Sequence, residues 1–157
     1  MSKKVLDIDL DARAGKYLSF ALGEEEYGLE ILKVREIIGM MDITSVPRAA
    51  GHVRGVINLR GKVIPVVDLR RRFGLPDVEQ TDETCIIVVY VGQAEIGIVV
   101  DRVCEVQDIT AEEIEDSPSF GSDVDTTYIL GMGKRDGRVT ILLDITKVLN
   151  NDLQALL

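Results

Sequence analysis

The sequence of 157 residues predicts a mainly β protein, built as two barrel-like halves packed on a common core, with short helices and one longer C-terminal helix. Three observations lead there. Apolar residues alternate with polar ones, or run in short blocks rich in Val and Ile bounded by Gly and charged residues. Turn pairs suited to hairpins stand at Arg60-Gly61 and Asp136-Gly137. The second half of the chain also reads as a diverged copy of the first.

Residues 16–22 and 26–31 flank an acidic turn, with Tyr27, Leu29 and Ile31 on one face and Glu26, Gly28 and Glu30 on the other, the alternation of a half-buried hairpin. Residues 34–41 read as a strand, and 55–59 with 62–67 as a hairpin turned at Arg60-Gly61. A short helix over 69–73 follows Asp68 as N-cap and ends at Gly74. A third hairpin spans 84–91 and 95–100, followed by a strand at 102–106, a helical turn at 111–115 and the late hairpin at Asp136-Gly137. The polar stretch 116–127, with Ser117, Pro118, Ser119 and Gly121, reads as a surface loop. Behind Asp144, the spacing of Ile145, Val148, Leu149, Leu153 and Leu156 predicts an amphipathic helix over 145–157.

The repeat is read from register. At an offset of 69, Gly23 falls on Gly92, Glu26 on Glu95, Gly28 on Gly97, Lys33 on Arg102, Val34 on Val103, Glu36 on Glu105 and Ile37 on Val106. At an offset of 76, Gly55 falls on Gly131, Gly61 on Gly137, Lys62 on Arg138, Val63 on Val139 and Asp68 on Asp144, so the second copy carries an insertion of seven before Tyr128. Copies of about five strands bury little alone, which predicts one domain over 1–157 with a first barrel near 16–80 and a second near 84–150, terminal strands being able to cross over.

Composition narrows the function. Lys plus Arg total 18 against 27 for Asp plus Glu, and a net charge of -9 argues against nucleic acid as partner. Two cysteines and one histidine cannot build a four-ligand zinc site. The longest apolar run, 85–91, is far short of the roughly 20 residues that cross a bilayer, so no membrane insertion is expected. The N-terminal MSKKVLDIDLDARAG lacks the apolar stretch of a secretory signal. A cytoplasmic chain is expected, with Cys85 and Cys104 reduced and packed as small buried hydrophobes.

Chemistry is sparse. His52 has no nucleophile motif near it, and Gly131-Met132-Gly133 with Gly137 has the wrong spacing for a dinucleotide loop. Gly55 to Gly61 before Lys62 is one residue too long for a phosphate loop, and Asp116, Pro118 and Phe120 break the calcium-loop pattern. The run Arg70, Arg71 and Arg72 reads as a solvated helix face. No catalytic residue, cofactor or metal is predicted; an enzyme would have to use Glu30, Glu36 or Asp101 as acid or base, and no motif sets these with a nucleophile.

What remains is a surface of hairpin turns and strand edges suited to holding partners together. The stretches YGLEILKVREI at 27–37, VPRAAGHVRGVINLRGKVIPVVDLRRRFG at 46–74, GIVVDRVCEV at 97–106, AEEIE at 111–115 and ILLDITKVLN at 141–150 resemble the CheW family of bacterial chemosensory adaptors, from about residue 16 onward. The most specific element is GVINLRGKVIPVVDLR. The resemblance implies two intertwined five-stranded SH3-like barrels and a non-catalytic adaptor. Such an adaptor couples the cytoplasmic tip of methyl-accepting chemoreceptors to the regulatory domain of the histidine kinase CheA. It works in the cytoplasm, recruited to membrane-associated receptor arrays, and a relative serving surface motility would share the fold. CheV proteins begin with the same fold and continue into a receiver domain, for which a chain ending at Leu157 leaves no room. Carried over residue by residue, the partner-binding positions are Val34, Glu36 and Ile37 on the third strand, with Gly55, Asn58, Arg60 and Gly61 around the first copy's hairpin. Asp136 stands where the first copy has Arg60, so the two turns are expected to do different jobs.

Overall fold

A computed structural model describes residues 11–49, 51–118 and 126–155. Where the sequence alternates, the chain forms strands: β1 (Gly15–Leu22), β2 (Glu25–Glu30), β3 (Val34–Gly39), β4 (Val53–Leu59), β5 (Lys62–Asp68), β6 (Cys85–Val91), β7 (Ala94–Val100), β8 (Arg102–Ile109), β9 (Ile114–Glu115), β10 (Ile129–Arg135) and β11 (Arg138–Leu143). Helix α1 (Leu69–Arg72) is capped by the Asp68 side chain, which accepts from the Arg71 N–H, and α2 (Ile145–Ala155) by Asp144, which accepts from the Lys147 N–H. Two single 3-10 turns, Ile31–Lys33 and Ala111–Glu113, complete the set, the second held by a capping box between Thr110 and Glu113. Part of the expected loop at 116–127 and the end of the expected helix at 145–157 lie outside the described residues.

The mainly β expectation holds, with two barrel-like units. One is a six-stranded sheet in the order β8-β1-β2-β11-β10-β9, the other a five-stranded sheet in the order β3-β6-β7-β5-β4. The sheets do not follow the halves drawn at 16–80 and 84–150. The first hairpin of each copy has crossed into the other copy's barrel, so β1 and β2 join β8 to β11, while β6 and β7 join β3 to β5. The reason is local. A single residue, Asp101, separates β7 from β8, a link too tight to fold β8 back as a hairpin neighbour, and the 3-10 turn Ile31–Lys33 carries the chain from β2 into the other sheet at the matching place. Parallel pairings then tie the copies together, Tyr27 beside Ile141 and Leu29 beside Leu143 in one sheet, Val67 beside Ile98 in the other.

Register confirms that the two copies share a backbone. Bulges leave Arg35 out of the β3–β6 ladder and Cys104 out of β1–β8, and these positions coincide at the offset of 69. Bulges at Arg54 in β4–β5 and Leu130 in β10–β11 coincide at the offset of 76.

Burial explains the continuous apolar run in β6. Ile86 and Val88 fill the interior of the five-stranded barrel with Ile57 and Ile64, whereas Ile87, Val89 and Val91 face a core shared by both sheets with Phe20 and Leu29. A strand buried on both faces has no place for alternation. In the six-stranded sheet a smaller cluster gathers Tyr17, Ile109, Ile114 and Leu142. Buried Ile145, Val148 and Leu149 lay α2 on the shared core.

Two expectations are corrected here. Cys85 and Cys104 are unbridged but only half-buried, and burial pushes both thiols up from their ordinary range; Cys104 stands at a bulge, where one face opens to solvent. The arginine run is not simply a solvated face. Arg70 makes two hydrogen bonds to Asp101 at 2.8 and 2.6 Å. Arg72 donates to the Val148 carbonyl at 2.7 Å and lies over the Tyr128 ring. Only four residues long, α1 turns these arginines towards different neighbours, and Arg71, paired with Asp77, is the solvated member. Beside it runs a column of stacked rings, Phe20, Tyr27, Phe73 and Tyr128, with centroids 5.4 to 5.7 Å apart.

Candidate functional site

At the tip of the β4–β5 hairpin, Arg60 has φ +52° and Gly61 φ +86°, the two left-handed residues that a tight hairpin turn requires. An arginine in that conformation needs support. It comes from Asn58, whose side-chain oxygen accepts the Gly61 N–H at 2.8 Å. The turn throws the Arg60 guanidinium outward, and its Nη2 donates to Oε1 of Glu36 on β3. Arg35, lifted out of the ladder by its bulge, donates from Nη1 to the same oxygen. The hydrogen bond from Arg60, with the charges of Arg60 and Arg35, holds the Glu36 carboxyl below its ordinary range. Two further charges stand behind. Oε1 of Glu95 lies 3.5 Å from Arg35 Nε, and its Oε2 accepts from Lys62 Nζ at 2.9 Å.

The structure thus brings Glu36, Asn58, Arg60 and Gly61 together at one end of the five-stranded barrel. Ile37, beside Ile87 of the shared core, is 45% exposed. Its repeat equivalent Val106 lies beside Leu18 and is 52% exposed, so each outer edge of the shared core carries one uncovered apolar side chain. Val34 is half-buried against the shared core. Gly55 stands apart, five residues back along β4 and roughly 15 Å from the tip. It lies beneath Thr44, whose backbone bridges Val56 through hydrogen bonds of 2.8 and 2.9 Å and closes the barrel seam.

The second copy's tip has the same backbone, with Asp136 at φ +51° and Gly137 at +77°, and the opposite charge. Its interior anchor is preserved. Glu26, the repeat equivalent of Glu95, takes Arg138, the equivalent of Lys62, at 3.2 Å, together with Gln107 at 3.1 Å and Thr140 at 3.3 Å. Arg35, Lys62 and Glu95 were not singled out in the sequence. A signal was present, because the pairings of Lys62 with Arg138 and Glu26 with Glu95 keep the same charges in both copies.

Two of the carboxylates considered for acid or base chemistry are held by cations. Asp101 is gripped by Arg70 and by the Gly23 N–H at 2.7 Å, and Glu36 by two arginines. Among the described residues, no three His, Cys, Asp or Glu side chains gather as a metal site, and no helix is long and apolar enough to cross a membrane.

Comparison with known proteins places this geometry. A family model for the CheW-like domain matches residues 16–153. The chain is 42% identical over 141 residues to the chemotaxis protein CheW of Klebsiella aerogenes, covering 90% of this chain and 85% of that one. It is 36% identical over 138 residues to the chemotaxis protein CheW of Bacillus subtilis, covering 87% and 88%. The crystal structure of the scaffolding protein TtCheW from Thermoanaerobacter tengcongensis superposes with a TM-score of 0.79 at 35% identity, over 87% of this chain and 92% of that one. Paired barrels, a repeated backbone and a charged hairpin rim agree with this match over nearly the whole chain, which belongs to the CheW-like family of chemotaxis proteins.

Proposed function

We propose that this chain is a non-catalytic adaptor that couples chemoreceptors to a CheA-type histidine kinase at membrane-associated receptor arrays. The observation that carries the reading is the Arg60 tip: an arginine on a rigid two-residue turn, ion-paired to Glu36, at the exposed end of a barrel. A guanidinium so placed offers bidentate hydrogen bonds to a carboxylate of the kinase's regulatory domain. The apolar edges at Ile37 and Val106 provide anchors for the helical tip of a receptor, an apolar helix-in-groove contact. Polar rim residues then set register and partner choice while the apolar seam supplies affinity.

Titration of the purified chain against the regulatory domain of a CheA-type kinase and against a receptor cytoplasmic fragment tests this. The wild type is expected to bind both. Arg60→Ala is expected to weaken one contact about tenfold, leaving the other contact intact and folding stability within about 0.5 kcal/mol. No binding of the wild type to either partner would remove the adaptor reading; unchanged binding by Arg60→Ala would remove Arg60 from the interface.

A further inference from the structure

The tip pair Glu36 and Arg60 does not stand alone but belongs to a ring of ion pairs that the β4–β5 hairpin backbone completes between Arg60 and Lys62. Glu95 reaches Arg35, Arg35 reaches Glu36, Glu36 takes Arg60, and Lys62, two residues beyond Arg60 on the same hairpin, returns to Glu95. Within this ring Glu95 is the rigid member. It sits on β7, between β6 and β5, its side chain is only 12% exposed, and each of its oxygens serves a different cation. The cations it holds are long side chains, one on the bulge of β3 and one beside the tip, with considerable rotamer freedom to lose.

We propose that Glu95 is a positioning residue for the partner-binding rim: by bracing Arg35 from one side and Lys62 from the other, it holds the Glu36–Arg60 pair in the geometry that a partner carboxylate meets. The inference rests on the adaptor reading and deepens it. The second copy supplies an internal comparison. There Glu26 still takes Arg138, but Cys104 stands in place of Arg35 and Asp136 in place of Arg60, so the same anchor carries no arginine relay. The anchor has been kept in both barrels while the rim above it has diverged, as expected if the anchor serves hairpin geometry and the relay serves specificity.

Two readouts test the brace. In the partner-free chain, nitrogen-15 relaxation of the Arg60 Nε–H reports whether the guanidinium is held. Glu95→Gln, which keeps size and removes charge, is expected to lower its order parameter visibly, and Lys62→Gln to lower it by less. In titrations against the partner that senses Arg60→Ala, Glu95→Gln is expected to weaken binding about fivefold in the wild-type background and by less than about 1.5-fold in the Arg60→Ala background. Full additivity of the two substitutions, or an unchanged Arg60 order parameter in folded Glu95→Gln, would overturn the proposal. Should Glu95→Gln fail to fold, Lys62→Gln at its exposed position carries the same comparisons. If the wild type binds neither partner, the adaptor reading falls, and the relaxation measurement alone decides whether Glu95 holds the rim.

Discussion

Gly55→Ala is expected to lower the stability of this fold by about 3 kcal/mol, the largest effect of any single-atom change considered. Two causes act together. Gly55 has φ +149°, a conformation that side-chain-bearing residues rarely adopt, and an added Cβ would lie 2.1 Å from the Thr44 carbonyl oxygen and 3.0 Å from Ile43 Cγ2. The obstacle is backbone and cannot rotate away. Relief requires the segment at 43–44 to lift from β4, which breaks both hydrogen bonds between Thr44 and Val56 and opens the barrel seam beside Ile57. Chemical denaturation checks this. Gly39→Ala, with nothing within 4 Å of the added carbon, serves as the control and is expected to stay within about 0.5 kcal/mol of the wild type. A loss below about 1 kcal/mol at Gly55 would show that the seam yields freely. Partner binding by Gly55→Ala is expected to fail together with structure, in contrast to Arg60→Ala, which separates the two positions in kind.

Asp101→Asn is expected to cost about 2 kcal/mol at neutral pH. Asp101 accepts two hydrogen bonds from Arg70 and one from the Gly23 N–H, and the two charged side chains are 25% and 13% exposed respectively. Asparagine keeps the shape, yet takes from half-buried Arg70 its nearest counter-charge, leaving only the more distant Asp68 and Asp77. The contact ties the helix that follows β5 of one sheet to the β1–β2 turn of the other, and the repeat offers no duplicate, since Leu32 and Thr146 occupy the equivalent positions. The hydrogen bond from Arg70 leads the causes that hold the Asp101 carboxyl below its ordinary range. A folded pKa below the unfolded value of about 3.9 means that the stabilisation is full above that value and disappears as pH falls through the folded one. The difference between wild type and Asp101→Asn is therefore expected to be level from about pH 5 to 8 and to narrow below about pH 4. A difference that persists undiminished at pH 2 would show that the ionised pair is not its source.

Strands, turns and caps were legible because each is written in adjacent residues: alternation over 26–30, Arg60-Gly61 at a tip, Asp68 and Asp144 ahead of helices. The two-residue strand β9 and the bridge at Thr44 were not, since neither is long enough to show a period. The strand exchange was open for a different reason. Two copies with matching registers present matching edges, so pairing within a copy and pairing across copies look alike until the single-residue link at Asp101 is weighed. At the rim, Glu36, Asn58, Arg60 and Gly61 came from the family resemblance, and the hairpin alone would have offered only an exposed turn. Arg35, Lys62 and Glu95 come from three different strands, and only the closed barrel shows that their charges meet.

The exchange also orders events during synthesis. Strands β1 and β2 are made before the other nine, and their sheet neighbours β8 and β11 follow roughly 90 and 110 residues later, several seconds at ~5–20 residues per second. A lone hairpin is marginal in water, so Phe20 and Leu29 await their partners unburied. The five-stranded barrel, complete in sequence by Val100, is the first unit whose strands are all available, and the six-stranded sheet can close only after Leu143 has been added. Strands β1 and β2 thus belong to the barrel whose strands are completed last, and a chaperone that shields residues 15–30 would act on a hairpin whose outer neighbours β8 and β11 have yet to be made.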